Sequence, residues 1–206
     1  MTPSVKGCVV AESTGFTRRH FLTVATAVTG GAGAIATAIP FVASFKPSAR
    51  AQALGAPVTV DIGKLESGAL LRVEWRGRVI YVLRRTQEML ATLGKDAAQL
   101  RDPASEDTDQ QPGYAQNEYR SIKPEFLVVE GVCTHFGCAP APRFEVGPAD
   151  LGADWPGGFF CPCHGSKFDL AGRVFSGVPA PANLLVPPHR YLNDSTLLIG
   201  SDSGTS

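Results

Sequence analysis

The chain has 206 residues, no formal net charge at neutral pH, 22 Gly, 16 Pro and five Cys. That length suits one soluble domain plus an accessory segment. Charged residues make up 18% and form no basic stripe, so the charge pattern offers nothing to nucleic acid.

The first 55 residues differ in composition from the rest. Cys8 stands alone near the N-terminus and reads as an unpaired thiol in a loose tail. Residues 1–20 read as a cytoplasmic tail that ends in the Arg18-Arg19 pair of "FTRRHFL". Residues 21–45 carry no charged side chain. As a helix they would run about 37 Å, more than the roughly 30 Å of bilayer hydrocarbon. Gly30, Gly31, Gly33 and four threonines keep the segment only mildly apolar. That composition suits a twin-arginine export signal, whose address is Arg18-Arg19. Two plainer readings stand beside it: a positive flank shared with Lys6, or a leader cut at Ala49-Arg50-Ala51. Pro40 is placed to kink the helix near its exit. Residues 46–56, "KPSARAQALGA", lack apolar periodicity and read as a flexible hinge. A hinge favours an anchor that is retained. The twin-arginine route carries folded proteins, so it fits a chain that takes up a cofactor before export.

From residue 57 onward short strands are predicted. "VTVDI" (58–62) alternates, and 69–86 reads as a hairpin turning at Arg76-Gly77. Residues 86–95 form a short helix capped by Thr86 and ended by Gly94. Residues 96–123 are long, polar and Pro-punctuated, and the acids there, from Asp96 to Asp109, read as a solvated loop. "EFLVVEGV" (125–132) is β-rich, "FF" (159–160) enters a second motif, and "HRYLNDSTLLIG" is strand, turn, strand. The fold class is all-β, with one N-terminal transmembrane helix.

Four cysteines and two histidines fall in two runs, "GVCTHFGCAP" and "FFCPCHGSKF". The first places Cys133, His135 and Cys138; the second places Cys161, Cys163 and His164. Zinc would take four of the six as Cys2His2, though without the usual C-x2-C pairs. A catalytic Cys–His pair needs one cysteine, not four. Disulfides alone leave both histidines unexplained. A [2Fe–2S] centre with two thiolates on one iron and two imidazoles on the other takes one of each from each run.

"CTHFGC" and "CPCHGS" resemble the two boxes of the Rieske iron–sulfur proteins. The extra cysteine in each box, the twin-arginine segment and the hinge resemble the Rieske subunit of ubiquinol–cytochrome c reductase, the bc1 complex. The resemblance extends through 101–125 and 176–192. It implies an antiparallel β domain over 57–206 with a cluster-binding subdomain at about 131–182. It further implies that Cys133 and Cys161 bind the inner iron, that His135 and His164 bind the outer iron and meet the quinol, and that Cys138 and Cys163 form a disulfide. Ser166 would donate to a bridging sulfide. Phe168 stands where high-potential relatives carry a tyrosine, so one hydrogen bond to sulfur is lost and a lower potential is expected. Gly165 belongs to the same surroundings, as does Pro179 in "GVPAP" (177–181), which resembles the family's proline-rich cover loop with a valine inserted. Phe136 replaces the usual leucine at the quinol-facing tip. The implied partners are ubiquinol, cytochrome b, a c-type cytochrome, the membrane and the twin-arginine export machinery. The implied place is the bacterial inner membrane, with the head on the periplasmic side. The small Rieske subunit of an exported oxidoreductase such as arsenite oxidase would share the boxes and the export signal.

Overall fold

The computed structural model describes residues 17–95 and 97–202; the readings of Lys6, Cys8 and Asp96 lie outside them. Two compact units meet at residues 49–50.

The first unit is helix α1 (Arg18–Ser44), capped by Thr17, whose hydroxyl accepts the His20 N–H at 3.4 Å. It is long and apolar enough to cross a membrane. The threonines that weaken its apolar character are hidden within it. Thr23, Thr26, Thr29 and Thr37 each donate to the carbonyl four residues back, at 2.8–2.9 Å. A hydroxyl satisfied this way costs little in hydrocarbon. The helix begins at the arginine pair rather than at Phe21, because Thr17 supplies the cap one residue ahead of it.

The hinge differs from the sequence reading. Ala49–Gly55 forms helix α2. Ala49, Ala51, Gln52 and Ala53 favour helix whatever their periodicity, and Gly55 and Pro57 stop it. Two turns alone are marginal in water.

The second unit contains nine strands in three antiparallel sheets: β1 (Val58–Asp61), β9 (Thr196–Ile199) and β8 (His189–Asn193); β2 (Leu70–Trp75), β3 (Arg78–Arg84) and β4 (Phe126–Glu130); and β5 (Ala141–Arg143), β6 (Gly158–Cys161) and β7 (Ser166–Phe168). The β2–β3 turn holds Arg76 and Gly77 at φ 54° and 70°, the type I′ geometry that matches strand twist. In the second of these sheets β3 and β4 are buried on both faces, and their period of two sorts their side chains between two cores. Ile80, Val82, Phe126 and Val128 join Val60, Leu197 and Ile199. Tyr81, Leu83, Leu127 and Val129 join Phe159, Phe168, Cys133 and Cys161. The cysteine-bearing loops therefore rest on one face of a sheet whose other face is fixed by β1, β8 and β9.

Between β3 and β4 the chain forms helix α3 (Gln87–Thr92), with Thr86 accepting the Met89 N–H at 3.2 Å. The helix stops at Thr92 with Leu93 as its C-cap, so Gly94 stands just past its end, where a closing glycine is expected. The following stretch is ordered beyond its exposed acids. Three single-turn 3-10 helices (Ala97–Gln99, Thr108–Gln110, Gly113–Ala115) punctuate it, and Ser105, Gln111, Ala115, Arg120 and Ser121 are buried. Only its acids behave as expected: Glu106, Asp107 and Asp109 are exposed. Guanidinium groups hold the segment down. Arg85 donates to the carbonyls of Pro124, Tyr119 and Leu170 and to the Ser121 hydroxyl, at 2.8–3.1 Å. Arg120 reaches the Leu184 carbonyl at 2.7 Å and Gln110 and Gln111 at 3.1 and 3.0 Å. Burial lowers both arginines to about 10, which leaves them charged at neutral pH.

His189, at the start of β8, is buried against the Tyr114 ring. Its Nδ1 pairs with the Pro187 carbonyl at 2.8 Å, and its Nε2 has no hydrogen-bond partner among the described residues. Burial pushes its pKa below the usual range, opposed by the Pro187 carbonyl and by Asp202. The unfolded chain thus takes the proton first as pH drops below about 6.5, and stability falls from there down through the folded-state pKa. His189→Gln is expected to flatten the decline in melting temperature of the full chain in detergent between pH 7 and pH 5. An unchanged slope contradicts this.

Candidate metal centre

The two boxes are built on different local structures. Box one is the loop between β4 and β5: the Cys133 N–H donates to the Cys138 carbonyl at 2.7 Å, and the Gly137 N–H returns to the Cys133 carbonyl at 2.9 Å. Box two is the tip of the β6–β7 hairpin, in which Cys161 pairs with Ser166 and the Gly165 N–H donates to the Cys161 carbonyl at 2.9 Å. Each turn closes at a glycine four residues after its first cysteine, Gly137 at φ 79° and Gly165 at φ 76°, where a side chain would be strained. Box two thus has regular structure of its own, which the two phenylalanines alone did not announce.

Cys138 and Cys163 are joined in a disulfide across 25 residues of sequence. Cys133 and Cys161 are free thiols, 3% and 2% exposed. The His135 and His164 rings meet edge to face with centroids 4.7 Å apart. His164 is exposed and His135 half-buried, and the Nδ1 of His135 is buried with no hydrogen-bond partner among the described residues. Phe136 is 77% exposed and packs on His135 at 4.1 Å and near His164 at 6.0 Å. The sulfurs of Cys138, Cys161 and Cys163 all lie within 4.8 Å of one another. Two of them are spent in the disulfide, so that trio is not a ligand set.

Burial pushes the Cys133 thiol up, as does its neighbour Cys161, while the His135 N–H and the Ser166 hydroxyl donate to its sulfur and pull the other way. A thiolate in such a place needs a cation beside it. Two buried thiols, two adjoining imidazoles and an orphaned ring nitrogen are the donor set of a [2Fe–2S] cluster with mixed ligation, and the residues fit that group.

Two comparisons agree. Residues 10–48 match the family described as "Ubiquitinol-cytochrome C reductase Fe-S subunit TAT signal", and residues 104–189 match the Rieske [2Fe-2S] domain. The chain is 60% identical over 189 residues to the ubiquinol-cytochrome c reductase iron-sulfur subunit of Allochromatium vinosum, covering 92% of this chain and 91% of that one. This chain belongs to the Rieske [2Fe-2S] iron–sulfur subunits of ubiquinol–cytochrome c reductase. The subunit of the same name from Blastochloris viridis is 42% identical over 188 residues, covering 90% and 93% of the two chains, and that of Bradyrhizobium diazoefficiens is 40% identical over 185, covering 89% and 94%. The chain is accordingly a membrane-anchored oxidoreductase component of a complex with cytochrome partners, and it carries a twin-arginine signal.

The surroundings of this Rieske centre come from three elements. Ser166 is fully buried and its Oγ accepts the Ala180 N–H at 3.1 Å. That bond draws the 177–181 loop over the site. The Thr134 hydroxyl fastens the same loop to box one through the Ala182 carbonyl at 2.7 Å, and Arg101 reaches the carbonyls of Pro181 and Val178 at 3.2 and 3.4 Å. Val178 packs against the core, and Pro179 is exposed. After β7, Asp169 accepts the N–H groups of Ala171 and Arg173 and the Arg173 Nε, all at 2.7–2.9 Å. The Tyr81 hydroxyl donates to the Pro140 carbonyl at 2.9 Å, just past box one. Sequence reasoning missed Thr134, Asp169, Arg173 and Tyr81. Thr134 lies inside the motif and was passed over as a spacer, and Tyr81 carries no local signal. Phe168 is fully buried and pairs across the hairpin with Phe159. Arg18 and Arg19 sit at the start of α1, in the other unit.

Hydrogen bonds to cluster sulfur raise the potential. Ser166→Ala is therefore expected to lower the midpoint potential of the loaded protein, and Phe168→Tyr to raise it, in a redox titration. No change in either variant contradicts the reading.

Proposed function

We propose that Cys133 and Cys161 hold the inner iron and His135 and His164 the outer iron of the cluster, and that this chain oxidises ubiquinol bound by cytochrome b and passes the electron to a c-type cytochrome. The observation that carries the proposal is the division of the site into two buried free thiols and two ring systems nearer solvent, across one disulfide. When bound, the cluster supplies a one-electron acceptor whose potential is raised because neutral imidazoles replace two thiolates.

The chain's own groups supply the rest. His164, the exposed imidazole, takes the hydroxyl proton of ubiquinol at its free ring nitrogen. His135 is shielded by the Phe136 ring and has one buried nitrogen, so it serves as a fixed ligand. Phe136 offers an apolar edge beside the quinol ring. The disulfide keeps the two tips in register. Helix α1 anchors the chain uncleaved in the inner membrane, with the head on the periplasmic side. Residues 46–56, marginal as a helix, let the head travel between quinol and cytochrome.

In membranes carrying His164→Ala, quinol-driven cytochrome c reduction is expected to fall by about 10²-fold or more; intact turnover refutes the role of His164. Replacing residues 48–53 with prolines is expected to slow turnover several-fold while leaving the paramagnetic resonance spectrum of the cluster unchanged. Undiminished turnover rules out the hinge.

A further inference from the structure

We propose that Cys161 is a disulfide-exchange nucleophile held in check by its metal: when the cluster is lost, its sulfur attacks Cys138 and moves the cross-link from Cys138–Cys163 to Cys138–Cys161. This rests on the reading of Cys161 as an iron ligand. The geometry is that of the three sulfurs lying within 4.8 Å of one another, two of them already bonded. Cys161 is the one free thiol of the trio; the other described free thiol, Cys133, lies outside it. In the loaded protein the Cys161 sulfur is committed to iron. Without iron it is a nucleophile at the end of β6, its sulfur already within 4.8 Å of both sulfurs of the disulfide.

The step balances within the chain. A Cys161–Cys138 bond forms and the Cys138–Cys163 bond breaks. The electron pair of the broken bond leaves on Cys163, which takes up the proton that Cys161 gave up. One disulfide stands before and after, with no oxidant or reductant. Attack at Cys138 is favoured over attack at Cys163 for two reasons. It releases the exposed Cys163 sulfur into water, and the new loop is only two residues shorter than the native one, so closure entropy hardly changes. The alternative Cys161–Cys163 bond would have to close around Pro162 alone. The product has lost a thiolate ligand, so cluster loss becomes a latch that only a thiol reductant reopens.

The test uses the full chain in detergent at high dilution, with Cys8→Ser to suppress exchange between molecules. One half stays loaded; the other is stripped of iron by a chelator under argon without added thiols. Both are quenched in acid, alkylated and mapped by mass spectrometry. In the stripped half more than half of the cross-linked peptide is expected as Cys138–Cys161, with Cys133 and Cys163 alkylated. The loaded half keeps Cys138–Cys163. Reloading with iron and sulfide is expected to recover the visible spectrum several-fold better after a dithiol. Cys133→Ser, stripped, still exchanges, and Cys161→Ser does not. A stripped Cys8→Ser chain, otherwise unaltered, that keeps Cys138–Cys163, with Cys133 and Cys161 alkylated, overturns the proposal. Alkylation of Cys161 in the loaded half, with its cluster spectrum intact, instead overturns the ligand reading and the proposal with it.

Discussion

The site depends on a division of solvent exposure. Cys133 and Cys161 face the core that β3 and β4 build with Phe159 and Phe168, while His164 and Phe136 face water. Nothing in the motif spacing alone enforces this. It follows from where the boxes sit. One leaves the end of a strand buried on both faces, and the other caps a hairpin laid on that same sheet. Burial pushes the Cys133 thiol up, so that thiol resists ionising. Packing thus sets the two thiols on the inner side of the site and the His164 ring on the outer side. The disulfide then keeps two tips from different sheets at one distance.

A second constraint is the supply of hydrogen bonds to irregular backbone. Long segments around the site have no ladder partners, and unpaired buried carbonyls would be costly. Three buried arginines meet this need. Arg85 and Arg120 fix 110–124 and 170–184, and Arg173, paired with Asp169, also reaches the carbonyls of Leu93 and Pro103. One guanidinium carries five donors in a rigid fork, so each arginine ties several loop carbonyls to one point. Among the described residues these three guanidinium groups share the interior with two buried acids, Asp169 and Glu130, an arrangement that composition cannot reveal in a chain of zero net charge.

What was legible in the sequence follows the range of the interactions. The β2–β3 hairpin announced itself through Arg76-Gly77, because a I′ turn is a local matter. The strands β1, β4, β8 and β9 were visible as alternating or β-rich runs. The apolar helix was visible from its uncharged length, although its start was set by Thr17. Helix α2 was hidden because small residues read equally as tether and as helix. The order of the 96–123 segment was not legible because it comes from guanidinium groups whose carbonyl partners only the fold brings near. Within the site the six Cys and His positions were read from the boxes. Thr134, Tyr81, Asp169 and Arg173 were not, since each acts through a carbonyl or a turn that only the fold brings near.

The central claim is that sulfur and nitrogen donors are sorted onto two different irons by burial. Mössbauer spectroscopy of the purified chain, grown on iron-57, tests it most directly. Two inequivalent iron populations of equal abundance, one with the parameters of all-sulfur coordination and one with mixed sulfur–nitrogen coordination, are predicted. A single iron environment, or a purified chain that holds zinc or no metal, would contradict the account.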